Sequence, residues 1–224
     1  MKPPRSAPPK HEVARRLFAR YGDFAHNNRR TPLNELLFIL CSVKTSEANY
    51  ERAYRDFRRA FPTFDSIAAS TARDLAASLW IGGLYRTKAR RLKKAMRLIV
   101  KAFGRPTLAP LRRMSDRECE AFLTSLPGVG LKVARCVMMY ALGRQVFPVD
   151  THCWRICRRL GWVRGTATDG LPTRRDMGRL QSKIPSGLRY SLHVNLVSFG
   201  RETCRAPAPN CGSCVLSDLC PRIV

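Results

Sequence analysis

The sequence predicts an all-α protein. Apolar residues recur at helical spacing along most of the chain. Several of these segments follow Ser or Thr and stop at Gly, as helices commonly do. No segment alternates apolar and polar residues over enough positions to predict a strand. A chain of 224 residues with 45% hydrophobic residues can form one large domain or two small ones.

The first two predicted helices differ in how much of their surface should be buried. The segment PLNELLFILCSV is almost entirely apolar, so we expect a core helix there. In HEVARRLFARYG the apolar residues form one stripe, and Gly22 is the expected end of the helix. The residues expected to be buried on that stripe are Val13, Leu17, Phe18 and Tyr21.

Three further segments before residue 104 continue the helical pattern. ANYERAYRDFRRAF is amphipathic, and SIAASTARDLAASLW places Ser or Thr before short apolar stretches, which suits helix N-caps. TKARRLKKAMRLIVKAF combines a dense basic face with an apolar one. The residues expected to be buried on that apolar face are Leu92, Met96, Ile99 and Phe103.

The charge of the chain indicates a polyanionic partner. It has 41 Lys and Arg residues against 16 Asp and Glu, a formal net charge of +25. Basic side chains release condensed counterions when they neutralise phosphates, so nucleic acid is the expected partner. A generally basic surface or an anionic membrane surface is the alternative.

The N-terminus and the cysteines bear on the cellular compartment. MKPPRSAPPK has no apolar core of a signal peptide, and we expect residues 1–10 to be a disordered basic tail. No apolar run is long enough to cross a bilayer, so no membrane association is expected. Nine cysteines without an export signal favour thiol or metal chemistry over disulfides. We expect a cytoplasmic protein, associated with the nucleoid if it is bacterial.

A glycine turn in SLPGVGLKVA predicts a phosphate-binding hairpin. Gly128 and Gly130 flank Val129 between two predicted helices, and glycines let backbone N–H groups approach a ligand. The start of the second helix adds the positive end of its dipole. The pattern resembles the hairpin of helix-hairpin-helix DNA-binding proteins, which contacts the DNA backbone without reading sequence. An ordinary turn between helices is the alternative.

Lys132 and Asp150 are the candidate catalytic residues. The helix start and the many cations around Lys132 disfavour its protonated amine, and a neutral amine can form a Schiff base. Asp150, in PVDTHCWRIC, occupies an N-cap position, where a carboxylate stays ionised and can accept a proton or stabilise a cationic sugar. A solvated lysine and a purely structural cap are the ordinary explanations for such residues.

The C-terminal segment carries four closely spaced cysteines. Cys204, Cys211, Cys214 and Cys220 form a C-x6-C-x2-C-x5-C array. Four thiolates in one loop suit either a tetrahedral zinc ion or an iron–sulfur cluster, and the spacing alone does not separate them.

These motifs together resemble the endonuclease III family of DNA glycosylases. The resemblance includes GVG-x-K, VDTH and the cysteine array, extends to PLNELLFILCS, IGGLYRTKA and SFGRETC, and covers residue 30 to the C-terminus. It implies a nucleophilic Lys132, an essential Asp150 and a [4Fe–4S] cluster on the four cysteines. It also implies that Leu84 fills the gap left by a flipped base and that His152 contacts phosphate or sugar.

The resemblance further implies the architecture: two helical lobes with a DNA-binding cleft between them. We expect a helical domain at residues 34–144 with the hairpin, and a second lobe of residues 11–33 plus 145–224 with the cluster loop. We expect Lys132 and Asp150 to face each other across the cleft. A monomer is expected.

The implied reaction is base excision on double-stranded DNA that contains damaged bases or abasic sites. The enzyme would remove oxidised pyrimidines and cut the strand by β-elimination. One residue departs from the family: Lys44, in SVKTSE, stands where the family has a glutamine that fills the space of the flipped base. We therefore expect either a lesion range that differs from the family's or abasic-site cleavage as the dominant activity. A non-catalytic damage-binding protein on the same scaffold is the third reading.

Overall fold

All regular structure in the described part of the chain is helical, which confirms the predicted fold class. The computed structural model describes residues 6–23, 28–43, 45, 47–164 and 170–221, so Lys44 lies outside the described residues. No helix in these ranges has the length and hydropathy needed to cross a membrane. The α-helices are α1 (Lys10–Tyr21), α2 (Pro32–Ser42), α3 (Glu47–Ala60), α4 (Phe64–Ala69), α5 (Ala72–Ser78), α6 (Tyr85–Phe103), α7 (Asp116–Ser125), α8 (Leu131–Leu142), α9 (Thr151–Arg159), α10 (Arg174–Lys183) and α11 (Arg189–Glu202).

The chain divides into two compact units. The continuous unit holds residues 28–144, and the discontinuous unit holds residues 1–27 together with 145–224. The first domain was predicted to begin at residue 34, which is the third residue of α2. Residues 28–33 belong to the continuous unit, because α2 begins at Pro32 and is a single packed helix.

Helix α2 forms the centre of the continuous unit. It packs against α3, α6 and α8, and most of its side chains are buried, as the apolar sequence predicts. On α6 the predicted face is buried at Leu92, Met96 and Ile99, while Phe103 is half-buried near the helix end. Eight Lys and Arg residues and no carboxylate lie on α6, so its outer surface is strongly cationic.

Threonine and serine caps set the helix starts, as the sequence suggests. The Thr71 hydroxyl accepts from the Asp74 backbone N–H, and the Asp74 carboxylate accepts in return from the Thr71 N–H. Such reciprocal caps satisfy two backbone donors that the helix itself leaves without acceptors. The same arrangement occurs at Ser115 of α7 and Thr173 of α10.

The discontinuous unit packs α1, α9 and α11 around an aromatic core. Trp154, Phe147 and Phe199 are almost fully buried there beside Leu17. Phe18 is 52% exposed, so its predicted burial is wrong. Each helical residue is rotated by about 100° from the one before it, and the packed face of α1 follows Val13, Ala14 and Leu17 instead.

The predicted disordered tail is wrong at Pro8 and Lys10, and its residues 1–5 lie outside the described residues. Pro8 is buried, and its carbonyl accepts a hydrogen bond of 2.8 Å from Trp162 Nε1. Lys10 is the first residue of α1, and its ammonium lies 5.7 Å from the centroid of the Trp162 ring. The indole N–H needs an acceptor once buried, and this requirement orders the chain ahead of α1.

We expect Gly200→Ala to destabilise the discontinuous unit. A Cβ at Gly200 would lie 2.7 Å from both Cβ and Nδ1 of His152, so α11 and α9 would have to move apart. Overpacking of this kind costs about 1–3 kcal/mol in the free energy of unfolding, measured by urea denaturation.

Gly178→Ala is the matched control for that change. Gly178 is also helical, and a Cβ there has no neighbour within 4 Å. The alanine should stabilise α10 by about 0.5–1 kcal/mol through its higher helix propensity. Equal stability changes in the two variants would contradict the close packing of α9 on α11.

Candidate functional site

The hairpin between α7 and α8 has the geometry that its glycines predict. Gly128 has φ +88°, a conformation that favours glycine, and the Val129 N–H donates to the Leu126 carbonyl at 3.0 Å to close the turn. Gly130 is the N-cap of α8 and has no side chain with which to cap the first turn. The amides and the dipole at this helix start are therefore available to favour an anion.

Arg91 of α6 lies directly against this hairpin. A Cβ at Gly128 would stand 3.0 Å from Arg91 Cδ, so the aliphatic part of the arginine covers the glycine backbone. Arg91 is exposed, and no ion pair involves it among the described residues. Arg91 could not be singled out from the sequence, because nothing in the local pattern of α6 distinguishes it from neighbouring cations.

Lys132 is the second residue of α8, as predicted, and is half-buried. The fully buried carboxylate of Glu35, on α2, interacts electrostatically with the charge of Lys132. Burial raises the pKa of Glu35, while the Arg29 N–H, the Asn28 amide and the charge of Lys132 oppose that rise. Glu35 was missed, although a lone carboxylate in an otherwise apolar helix is a readable signal.

Leu84 stands at the N-cap of α6 in a left-handed conformation, with φ 48°. It is 62% exposed and follows a 3₁₀ turn at Trp80–Gly82. Lys88, in the first turn of α6, donates to the Cys41 carbonyl and to Thr45 Oγ1, each at 2.8 Å. Lys88 thus ties the start of α6 to the segment after α2, and burial lowers its pKa.

Asp150 is the N-cap of α9, and Thr151 is the first helical residue. The Cys153 backbone N–H donates to Asp150 Oδ1 at 2.7 Å, so one carboxylate oxygen is held by the helix start. The negative charge of Asp150 is among the causes, after burial, that raise the pKa of Cys153 and Cys157.

His152 is linked to the cysteine loop by Arg155. The guanidinium of Arg155 donates to the Cys204 carbonyl at 3.0 and 2.9 Å and to the Gly200 carbonyl at 2.9 Å. Its Nη2 also lies 3.1 Å from Nδ1 of His152. Arg159, one turn later, donates to Cys204 Sγ at 3.2 Å. The contacts of Arg155 and Arg159 with Gly200 and Cys204 could not be predicted from the sequence, because they join residues 45 or 49 positions apart.

The four predicted ligand cysteines line one cavity of about 290 Å³. Apolar side chains complete much of its wall, and the Leu216 N–H donates to Cys214 Sγ at 3.3 Å. Burial raises the pKa of Cys214, and so do the other three thiols around it. Within the described residues, no group of three or more His, Cys, Asp or Glu side chains is arranged to hold a single metal ion.

The structure thus gathers the candidate residues in two sets, one in each unit. The continuous unit carries Lys132 and Leu84 with the hairpin residues Gly128, Val129 and Gly130. The discontinuous unit carries Asp150 and His152 on one helix start, with the cysteine loop packed against the same helix through Arg155 and Arg159.

Comparison with known proteins gives one consistent result. The model of the HhH-GPD superfamily of base excision DNA repair proteins matches residues 38–180. Endonuclease III of Thermotoga maritima is 30% identical over 210 residues, covering 93% of this chain and 91% of that protein. A solved structure of a trapped endonuclease III–DNA covalent intermediate superposes with a TM-score of 0.79 at 26% identity, covering 95% of this chain and 96% of that one.

A plant protein whose name assigns it to the DNA glycosylases is also similar. This Arabidopsis thaliana relative is 33% identical over 169 residues, or 75% of this chain. The chain spans 56% of the length of that relative.

We expect Gly128→Ala to lower the free energy of unfolding by about 1–2 kcal/mol, because an alanine at φ +88° is strained. The Arg91 side chain would also have to move. Denaturation in urea measures the change.

Gly130→Ala provides the comparison. Gly130 has φ −85° and open space around it, so a methyl group fits. A weaker N-cap and a stiffer unfolded chain should offset each other, at about 1 kcal/mol or less apiece. If Gly130→Ala proves as damaging as Gly128→Ala, backbone conformation is not what requires the first glycine.

Proposed function

Because the chain belongs to the HhH-GPD superfamily of base excision DNA repair proteins and is a relative of endonuclease III, we propose that it is a bifunctional DNA glycosylase. It removes oxidised pyrimidines from double-stranded DNA and cleaves the strand at the resulting abasic site. The predicted resemblance to endonuclease III is confirmed by similarity over 91% of the Thermotoga protein. The observation that carries the proposal is the position of Lys132, two residues after the N-cap glycine of the hairpin.

DNA binding begins with the phosphate backbone. The hairpin at Gly128, Val129 and Gly130 presents backbone amides and a helix start, which hold phosphates without reading bases. The target atom C1′ is not accessible inside a duplex, so the damaged nucleotide has to be flipped out. Leu84 fills the vacated position, which suits an exposed apolar side chain on a fixed loop.

Lys132 supplies the nucleophile for base removal. Its uncharged Nζ forms a bond to C1′, and the glycosidic bond breaks with its electron pair leaving on the base, which takes up a proton. The sugar ring opens to give an imine between Nζ and C1′. Asp150, whose Oδ1 accepts from the Cys153 N–H, stabilises positive charge on the sugar during this step.

Strand cleavage follows from the imine. A general base then removes a C2′ proton. The electrons of that C–H bond form the C2′–C3′ double bond, and the 3′-phosphate leaves with the C3′–O electron pair. In this step Asp150 is the carboxylate proposed to take part in the proton transfer. Water then hydrolyses the imine and frees Lys132. Relatives that only remove bases generally lack the lysine, so Lys132 favours the bifunctional reaction.

The cysteine loop fits a [4Fe–4S] cluster better than zinc. Four thiolates at about 2.3 Å from one zinc ion would leave no cavity between them. Here Cys204, Cys211, Cys214 and Cys220 surround a space of about 290 Å³, which suits a cluster of several atoms. When bound, the cluster would supply cross-links between the ends of the loop, and base removal requires no electron transfer.

The substitution at Lys44 supports a lesion range that differs from the family's. By the family resemblance, Lys44 puts a long cation in place of an amide near the orphan base, which changes the lesion range or the preferred opposite base. We propose that the protein acts as a monomer on duplex DNA.

Lys132→Gln should abolish borohydride trapping of the protein on DNA with an abasic site. Removing a nucleophile costs roughly four orders of magnitude or more in rate, so no adduct should form. Gel electrophoresis of the trapped complex measures the result, with binding to uncleavable DNA as the check on folding. Lys101→Gln, at the far end of α6, should trap like the wild type. Undiminished trapping by Lys132→Gln would overturn the assignment.

Cys211→Ala should remove iron and sulfide from the purified protein together with the visible absorbance of the cluster. DNA affinity should fall in the same variant, because the cluster fixes a loop that carries Arg205 and directly follows Arg201, two cations suited to a phosphate backbone. Cys119→Ala, a buried thiol of the continuous unit, should keep both. Stoichiometric zinc without sulfide would contradict the cluster, and tight DNA binding by the cluster-free variant would contradict its role in binding.

A further inference from the structure

The loop before α6 exposes two large apolar side chains. Trp80 is 66% exposed and Leu84 is 62% exposed, the highest values among the large hydrophobic residues that the structure describes. The other two tryptophans of the chain, Trp154 and Trp162, are 1% and 2% exposed. Trp80 is therefore the one indole of this protein that faces solvent.

This exposure has no evident benefit for folding. Leaving a tryptophan in water forgoes burial worth more than about 2 kcal/mol, and a left-handed leucine adds about 1–2 kcal/mol of strain. The loop is nevertheless fixed, because Leu79 is buried beneath it and the Lys88 N–H donates to the Leu84 carbonyl at 3.0 Å. Two residues of one rigid loop therefore both lower the stability of the fold, which indicates that they are there for binding.

The surroundings of the loop identify the class of partner. Helix α6, which starts at the loop, carries eight Lys and Arg residues and no carboxylate. Arg91 on the same helix covers Gly128 of the hairpin. Leu84 precedes Arg91 by seven residues, which is about 10 Å along a helix axis. A DNA backbone held at the hairpin therefore passes within reach of the exposed loop.

We propose that Trp80 stacks on an unpaired base beside the gap that Leu84 fills. An indole in a cationic environment suits a nucleotide, because the base can stack on the indole and the phosphate can pair with the cations. The inference rests on the proposed function, since an unpaired base arises where a nucleotide has left the helix. Stacking tolerates any base, so Trp80 gives preference for damaged over intact DNA and not for sequence.

The test compares wild type with Trp80→Ala on two duplexes of one sequence. One carries tetrahydrofuran, an abasic analogue that the lyase cannot cleave, and the other is undamaged. Loss of one base–aromatic stack should weaken binding to the tetrahydrofuran duplex about tenfold and leave binding to the intact duplex nearly unchanged. Trp80→Phe should recover most of the affinity. A third duplex, with tetrahydrofuran in both strands at the site, should show little effect of Trp80→Ala, because it has no unpaired base opposite the lesion; an undiminished effect would overturn the stacking role.

Tryptophan fluorescence gives an independent measure. Because the other two indoles are buried, quenching on addition of the tetrahydrofuran duplex should come from Trp80 and disappear in Trp80→Phe. Leu98→Ala, a 40% exposed residue farther along α6, should behave as wild type in both measurements.

The outcomes separate this inference from the proposed function. If wild type is trapped by borohydride and prefers the tetrahydrofuran duplex, but Trp80→Ala equals it, the stacking role is overturned. Equal losses on intact and tetrahydrofuran duplexes would also overturn it, since Trp80 would then contact backbone. If wild type neither traps nor prefers the lesion duplex, the proposed function itself fails.

Discussion

The arrangement of the candidate site depends on one constraint, which is how the first backbone N–H groups of each helix find acceptors. Each α-helix leaves its first donors without internal acceptors, and this chain treats three such starts differently. Asp150 caps α9 with its own carboxylate, while Gly130 gives α8 no side-chain acceptor. Leu84 likewise gives α6 no side-chain cap and projects an apolar group. One start fixes a negative charge, one leaves its amides without a side-chain acceptor, and one exposes an apolar side chain.

Half-buried cations hold two of these helices in place. Lys88 binds the Cys41 carbonyl and Thr45, while Arg155 binds the carbonyls of Gly200 and Cys204. In both cases a positive side chain satisfies main-chain oxygens that have no partner in a helix or sheet, and charge-assisted bonds of this kind are strong. Some of the cationic side chains of this protein therefore form hydrogen bonds within the fold, and only the others are available to bind DNA.

Features that depend on neighbouring residues in the chain could be predicted, and features that depend on packing could not. The Thr71 cap, the Gly22 stop and the buried α2 follow from local patterns, and all are observed. The exposure of Phe18 and of Trp80 depends on which helix lies opposite, which no local pattern specifies. The resemblance to a family identified site residues that physical reasoning alone would have left as ordinary caps and surface lysines.

The link from the cysteine loop to α9 gives the proposed cluster a structural role that needs no electron transfer. Arg155 joins the Cys204 carbonyl to His152, and Arg159 donates to the Cys204 sulfur. The cavity beneath has apolar walls that include Leu216, so it would collapse or fill with water if nothing occupied it. Either change would shift Cys204 and, through Arg155, the start of α9 that carries Asp150. The proposed cluster would then act as a packing element, and its loss would be transmitted to Asp150.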